Sequence, residues 1–172
     1  MNVARTTALC IIAACSVLFT GCAKKKDGSE RAGGSAATAS THAGFVVTEL
    51  STSVGALPAA LKSEVEKAKA KGLKAHVEFW ASWCGPCVEL EKSLHDPRME
   101  AAFKGSYIIR LNADEWGDKL GGTGFDARAI PVFYELDAEG KPTGHTIDGG
   151  AWGENIPENM APPLDKYFHG SS

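Results

Sequence analysis

Apolar side chains recur along the first half of the chain with the periods of helices and strands. Residues 56–71 carry apolar side chains on one face at helical spacing, with lysines and glutamates opposite, and Gly72 is suited to ending that helix. Residues 45–50 and 74–80 are short apolar runs typical of β-strands. A second helix is expected from Cys84 onward, because the apolar positions return to helical spacing there.

This second helix is predicted to break at the sequence His95-Asp96-Pro97. The residue before a proline avoids the α conformation, and Asp96 can cap a new helix that has Pro97 at its first position. The new helix is expected to run to about Phe103, and residues 107–111 then form an apolar strand.

The last third of the chain predicts a loop, a hairpin and a helix. Residues 114–128 are polar and rich in glycine, so we expect a loop with at most a short helix. Residues 132–136 and 143–147 flank a turn that contains Gly140, a pattern typical of an antiparallel hairpin. The tail ends in a helix that Pro162 and Pro163 could begin. Strands that alternate with helices and finish in a hairpin predict an α/β fold with a central mixed sheet and helices on both faces.

Length and charge limit the possible functions. The chain has 172 residues, enough for one domain and an additional segment, and its formal net charge of −3 argues against a nucleic-acid binder. Three of the five cysteines, Cys10, Cys15 and Cys22, precede the domain, so the domain itself holds only Cys84 and Cys87. This leaves no further cysteines for a framework of structural disulfides.

The first 44 residues are expected to deliver and tether the domain. Residues 1–21 have the short basic start and apolar run of an export signal, and the run ends at Gly21-Cys22. This ending resembles the lipobox of bacterial lipoproteins, which implies lipidation of Cys22 and a membrane-anchored domain outside the cytoplasm, on the periplasmic side in a Gram-negative cell. Simple secretion and an uncleaved anchor are the alternatives. Residues 23–44 lack large apolar side chains and predict a flexible tether, with the domain at residues 45–172.

Cys84 and Cys87 carry the predicted chemistry. A thiol attacks a disulfide as its thiolate, and Cys84 lies where a strand gives way to a helix, so its sulfur gains the positive end of the helix dipole. Cys84 is therefore the predicted nucleophile, and Cys87, one turn later, is the predicted resolving thiol. A zinc site is disfavoured because the domain has no second pair of ligands. A purely structural disulfide is disfavoured because it would close almost no loop.

At residues 77–87 the sequence VEFWASWCGPC resembles the active-site stretch of thioredoxins, and similarity continues through Ile130-Pro131 to Gly149 or Gly150. The resemblance implies a thioredoxin fold with a cis Ile130-Pro131 bond beside the cysteines. It also implies a substrate surface and a redox-active Cys84–Cys87 disulfide with no other cofactor. The expected substrate-contacting residues are Trp83, Gly85, Pro86, Ile130 and Pro131.

Two departures from the thioredoxin pattern lie at Glu78 and Arg110. Thioredoxins have a buried aspartate and a lysine at these positions, and the aspartate exchanges protons with the second cysteine. The resemblance therefore implies that Glu78 relays protons for Cys87 with Arg110 as its partner, while a structural ion pair is the alternative. The broken helix after Pro86 resembles the C-terminal domain of DsbD-type reductases.

The expected function is that of a membrane-tethered, monomeric thiol–disulfide oxidoreductase that reduces protein disulfides, with a membrane electron donor of the DsbD type. A disulfide oxidase or isomerase and a non-catalytic interaction module are the alternatives. Trp116 and Trp152 lie in predicted loops, where they form either a substrate rim or packed surface aromatics. His76 is expected to be solvated at a strand end.

Overall fold

The computed structural model describes residues 38–170, and these form a six-stranded mixed sheet with five helices. The strands are β1 (Thr38–Thr41), β2 (Val46–Leu50), β3 (Lys74–Trp80), β4 (Ser106–Asn112), β5 (Val132–Leu136) and β6 (Pro142–Asp148). The helices are α1 (Leu57–Ala70), α2 (Gly85–Ser93), α3 (Pro97–Phe103), α4 (Ala113–Trp116) and α5 (Pro157–His169). The predicted order of elements is confirmed, with β1 in addition.

The strand order in the sheet is β1-β2-β4-β3-β5-β6. Strands β2, β4 and β3 run parallel, whereas β1, β5 and β6 pair antiparallel to their neighbours. The predicted hairpin of β5 and β6 and the mixed sheet are both confirmed. Because β3 lies inside the sheet next to β4, the carboxyl ends of these two parallel strands open together onto one edge.

Each face of the sheet carries its own core, since successive side chains of a strand point to opposite faces. Val77 and Phe79 of β3 pack with α1 residues such as Leu61 on one face. On the other face, Ile108 of β4 packs with residues of α2, α3 and α5, among them Leu90. Helices therefore cover both faces, as the sequence predicts.

The predicted break between α2 and α3 is confirmed, and its cause is local. Asp96 caps α3 by accepting a hydrogen bond from the backbone N–H of Arg98 at 2.9 Å, and Pro97 is the first residue of the helix. Leu94 and Met99, on either side of the break, both lie in the core. The break therefore lets two short helices cover the same sheet face.

The prediction of a flexible tether up to residue 44 is wrong for residues 38–41, which form β1. All four residues of β1 are exposed, yet they pair with β2 from Thr38 opposite Glu49 to Thr41 opposite Val46. The composition of residues 38–41 provides no side chain to bury, but β1 is held by backbone hydrogen bonds along the edge of β2. The predicted signal segment 1–21, Cys22 and residues 23–37 lie outside the described residues.

Helix α5 begins at Pro157, so the prediction that Pro162 and Pro163 begin it is wrong; both lie inside the helix. An internal proline costs about 3 kcal/mol. Each large apolar side chain that is buried returns about 1.5–3 kcal/mol, and α5 buries several of them. The buried residues of α5 are Met160, Ala161, Leu164, Tyr167 and Phe168. Burial therefore outweighs the lost hydrogen bonds.

Candidate active site

The two cysteines lie at the start of α2, directly after the carboxyl end of β3. Cys84 is the N-cap of α2, and its Sγ accepts a hydrogen bond from the backbone N–H of Cys87 at 3.2 Å. The two sulfurs are bonded at 2.11 Å, so the structure represents the oxidised pair. Pro86 lies in the first turn, where its missing N–H costs nothing. The helix N-terminus therefore faces the sulfur predicted to be the nucleophile.

Burial distinguishes the two cysteines. Cys87 is fully buried and Cys84 is 4% exposed, while the neighbouring Trp83 is 68% exposed. Cys84 therefore has the sulfur nearer the surface, as a nucleophile requires, and Cys87 reacts from inside the protein. The roles of Cys84 as nucleophile and Cys87 as resolving thiol stay predictions.

The Ile130-Pro131 peptide bond is cis, as the resemblance implies, and it lies beside the disulfide. The carbonyl oxygen of Ile130 is 3.6 Å from Cys84 Sγ. Behind this loop, the backbone N–H of Gly149 donates to the carbonyl of Pro131 at 3.0 Å. A Cβ atom on Gly149 would lie 3.2 Å from Pro131 Cδ, so the close approach favours glycine here.

A surface groove of about 350 Å³ runs between the cysteine loop and the cis-proline loop. Trp83 and Pro86 line one side, and residues 128–130 and 148–150 line the other. Of the predicted substrate-contacting residues, Trp83, Pro86 and Ile130 line this groove. Gly85 is exposed beside Cys84, and Pro131 is buried behind Ile130.

Asp114 is a site residue that the sequence reasoning missed. The indole N–H of Trp83 donates to both carboxylate oxygens of Asp114, at 2.9 and 3.1 Å. Asp114 lies in α4, whose N-cap Asn112 ends β4 and accepts from the Asp114 backbone N–H at 2.9 Å. The signal in the sequence was its position just after β4, because parallel neighbours bring their carboxyl ends to the same sheet edge.

Trp116 and Trp152 are packed in the core, so the prediction of a substrate rim is wrong, and they are not the packed surface aromatics of the alternative either. Trp116 is 1% exposed and donates its indole N–H to the carbonyl of Leu50 at 2.9 Å. Trp152 is 6% exposed and donates to Asn155 at 3.0 Å.

The prediction of a solvated His76 is also wrong. His76 is 1% exposed because α5 covers it, and its ring packs edge-on against Phe168 with the centroids 4.9 Å apart. Burial lowers the pKa of His76 to about 4. The sequence shows His76 near the start of a strand but does not show the helix that packs over it.

Glu78 and Arg110 lie side by side in the sheet, as implied by the resemblance. Glu78 on β3 is directly opposite Arg110 on β4, and Arg110 is directly opposite Glu49 on β2. Arg110 Nε lies 3.4 Å from Glu78 Oε2. The contact is an ion pair without a hydrogen bond, since among the described residues Arg110 Nε and Glu78 Oε1 have no hydrogen-bond partner.

The guanidinium of Arg110 forms its hydrogen-bonded contact elsewhere. Its Nη1 lies 3.1 Å from Glu91 Oε1, and its Nη2 donates to Glu91 Oε2 at 3.3 Å. The same group lies over the ring of Trp80, 3.9 Å from its centroid. Trp80 in turn packs against the buried pair of cysteines. Glu91 is thus a second member of this site that the sequence reasoning missed.

Burial raises the pKa of the Glu78 carboxyl to about 7, against the opposing effect of the positive charge of Arg110. The charges of Glu91 and Glu49 raise it further. A carboxyl that titrates near neutral pH can accept or donate a proton during thiol chemistry. Within the described part of the chain, no group of three or more His, Cys, Asp or Glu side chains is arranged to hold a metal ion.

The chain belongs to the thioredoxin family: the family model described as thioredoxin matches residues 56–161. Thioredoxin 2 of Chlorobaculum tepidum is 34% identical over 96 residues, covering 55% of this chain and 78% of that protein. The chloroplastic thioredoxin-like protein HCF164 of Arabidopsis thaliana is 30% identical over 110 residues, covering 63% of this chain and 39% of that protein.

The chain thus spans well under half the length of the HCF164 relative. A solved disulphide isomerase from Xylella fastidiosa Temecula1 is 18% identical, with a TM-score of 0.48, and the match covers 65% of this chain and 88% of that one. The thioredoxin fold is evident from the sheet and its helices and from the family match. Family membership and the Cys84–Cys87 disulfide together support thiol–disulfide oxidoreductase activity.

Proposed function

We propose that this chain is a membrane-tethered thiol–disulfide oxidoreductase that works outside the cytoplasm and reduces disulfides in protein substrates. One observation carries the proposal. The Cys84–Cys87 disulfide lies at the N-terminus of α2, with Cys84 Sγ in contact with the cis Ile130-Pro131 loop and beside a surface groove lined by Trp83, Pro86 and Ile130. A groove of this form admits an extended segment of a substrate protein next to the reactive sulfur.

The reaction proceeds through a mixed disulfide. The Cys84 thiolate attacks one sulfur of the substrate disulfide, forming a Cys84–substrate bond and releasing the other substrate sulfur as a thiolate. The Cys87 thiolate then attacks Cys84 Sγ, forms the intramolecular disulfide and releases the second substrate thiolate. The substrate gains two electrons, the dithiol loses two, and the protons of Cys84 and Cys87 end on the substrate thiols.

Glu78 supplies the proton chemistry of the second step. Cys87 is fully buried, so its proton has no direct route to water during the attack. Glu78 lies on the sheet face that α2 covers and titrates near neutral pH. Ionised Glu78 accepts the Cys87 proton and becomes neutral, and the nearby positive charge of Arg110 favours the ionised form that can accept it.

The reducing direction is supported by Gly85 and Pro86 between the cysteines, as in reducing thioredoxins. Each turnover leaves the pair oxidised, so a dithiol donor must return two electrons. We propose a membrane electron transporter of the DsbD type as this donor. Alkylation of free thiols in cells should find Cys84 and Cys87 reduced when the transporter is present and oxidised when it is deleted.

The anchor is proposed from the sequence, since Cys22 lies outside the described residues. The apolar run of residues 1–21 and the Gly21-Cys22 junction support lipidation of Cys22. Within residues 38–170, no helix has the length and apolarity needed to cross a membrane. Metabolic labelling with an alkyne fatty acid should label the wild type but not Cys22→Ala. An unlabelled wild type would refute the lipid anchor.

The activity is tested by insulin reduction with dithiothreitol as the electron source, using the purified full chain. Cys84→Ser should abolish the catalysed rate, whereas Ser82→Ala, a change of an exposed residue in the same loop, should not. An inactive wild type, or a Cys84→Ser variant that is still active, would refute the proposal. Cys87→Ala leaves the mixed disulfide unresolved, so affinity purification of this variant from cells should identify the bound substrate proteins.

A further inference from the structure

The sheet row formed by Glu49, Arg110 and Glu78, of which Arg110 and Glu78 are buried and Glu49 is half-buried, contains two carboxyls and one guanidinium. Helix α2 adds Glu91 as a third carboxyl, four residues after Cys87 and thus on the same helix face. From β5, the residue directly opposite Glu78 is Phe133. The charged groups that face Glu78 are therefore Glu49 from β2, Arg110 from β4 and Glu91 from α2.

The single guanidinium is shared unequally among these carboxyls. Its two terminal nitrogens meet the two oxygens of Glu91, at 3.1 and 3.3 Å. Glu78 receives only the 3.4 Å approach of Nε, without a hydrogen bond. The better contact thus goes to the carboxylate whose side chain is 51% exposed, and the weaker one to the carboxylate whose side chain is 4% exposed.

Because Arg110 gives its hydrogen bonds to Glu91, the neutral form of Glu78 is favoured. The half-exposed carboxyl of Glu91 is solvated by water as well as by the terminal nitrogens of Arg110. A buried carboxylate needs hydrogen bonds to its charged form, and the arginine directs these bonds to Glu91. Stacking on Trp80 holds the plane of the guanidinium in this position.

We propose that Glu91 is a positioning residue that holds Arg110 away from Glu78 and thereby sets the pH at which Glu78 exchanges its proton. The inference rests on the proposed function, in which Glu78 handles the proton of Cys87. It assigns Glu91 a role in that chemistry although Glu91 contacts neither sulfur in this structure. Removing the charge of Glu91 weakens its hold on the terminal nitrogens of Arg110, so that they can turn toward Glu78, and removes a repulsive neighbour.

The test compares Glu91→Gln with Glu89→Gln in the full chain. Glu89 is also exposed on α2, but it pairs with Lys92 at 2.9 Å and not with Arg110. The first readout is the titration of the Glu78 carboxyl in the oxidised protein, followed by carbon NMR and assigned with Glu78→Gln. This measurement does not depend on any catalytic activity.

We expect Glu91→Gln to weaken the proton affinity of Glu78 about tenfold or more, and Glu89→Gln to leave it unchanged. An equal titration in the two variants, or a stronger proton affinity in Glu91→Gln, would overturn the proposal. The second readout is the pH profile of insulin reduction, whose acid limb should move to lower pH in Glu91→Gln by the same factor. Inactivity of the wild type would refute the proposed function, while the NMR titration would still decide the role of Glu91.

Discussion

Replacing Glu78 with glutamine should change how the stability of the protein depends on pH. The pKa of Glu78 is raised from its ordinary value of 4.5 to about 7, mainly by burial. Between these two values the folded protein holds a proton that the unfolded chain has released. The free energy of unfolding therefore falls as the pH rises from about 4.5 to about 7.

The size of this effect follows from the pKa difference. One pH unit of differential proton binding is worth 1.36 kcal/mol, so Glu78 lowers the stability of the wild type by about 3 kcal/mol above pH 7. His76 has the opposite effect. Its lowered pKa, about 4, makes the free energy of unfolding fall as the pH drops from about 6.5 toward 4. The informative quantity is therefore the difference between Glu78→Gln and wild type at each pH, from which His76 cancels.

Urea unfolding of the oxidised proteins at pH 4.5, 6 and 8 measures this difference. Relative to its value at pH 4.5, the stability of Glu78→Gln minus that of wild type should increase by about 3 kcal/mol at pH 8. Glu89→Gln, an exposed change on α2, should show no such trend. A difference for Glu78→Gln that is constant across this range would refute a protonated, buried Glu78 and the proton-transfer role based on it.

Three further predictions concern His76 and the substrate groove. His76→Phe removes the group that lowers the stability of the wild type in acid. Its free energy of unfolding relative to wild type, measured by urea unfolding, should therefore rise by about 3 kcal/mol as the pH falls from 7 to 4. No rise would contradict the buried, neutral imidazole. Asp114→Ala releases the indole of Trp83, so KM for insulin should rise about fivefold while kcat is unchanged. A fivefold fall in kcat would contradict a role of Trp83 in substrate docking. The added methyl group of Gly149→Ala pushes against the cis proline, so kcat/KM for insulin should fall about tenfold. The control Gly121→Ala, whose added Cβ meets nothing within 4 Å, should keep the wild-type value. Equal kcat/KM values in the two variants would contradict the close approach of Gly149 to Pro131.

The elements of the fold were largely predictable from the sequence because their causes are local. A short apolar run identified β3, helical spacing identified α1, and Asp96-Pro97 identified the start of α3. Local rules failed where a distant segment decides the outcome. Strand β1 has no buried side chain and forms only because the edge of β2 is available. Burial of α5 against the sheet outweighs the internal prolines, which sequence rules place at a helix start.

The candidate site also contains residues that local sequence patterns reveal and residues that they do not. Cys84 and Cys87 are recognisable from three-residue spacing at a strand–helix junction, and the cis Ile130-Pro131 bond was expected only through family resemblance. Asp114 and Glu91 were missed, because their roles depend on which side chains of α4 and α2 reach across the fold.

The sequence by itself determined the redox pair and the order of strands and helices, because periodicity, capping and cysteine spacing act over a few residues. The pairing of Glu78 with Arg110 was implied only by the resemblance to thioredoxins. Only the tertiary structure decided how the charge of Arg110 is divided between Glu78 and Glu91, and how deeply His76 and Glu78 are buried. Proton affinities in a protein interior depend on desolvation and on charges a few ångströms away through space. Those distances are set by packing between segments far apart in the chain.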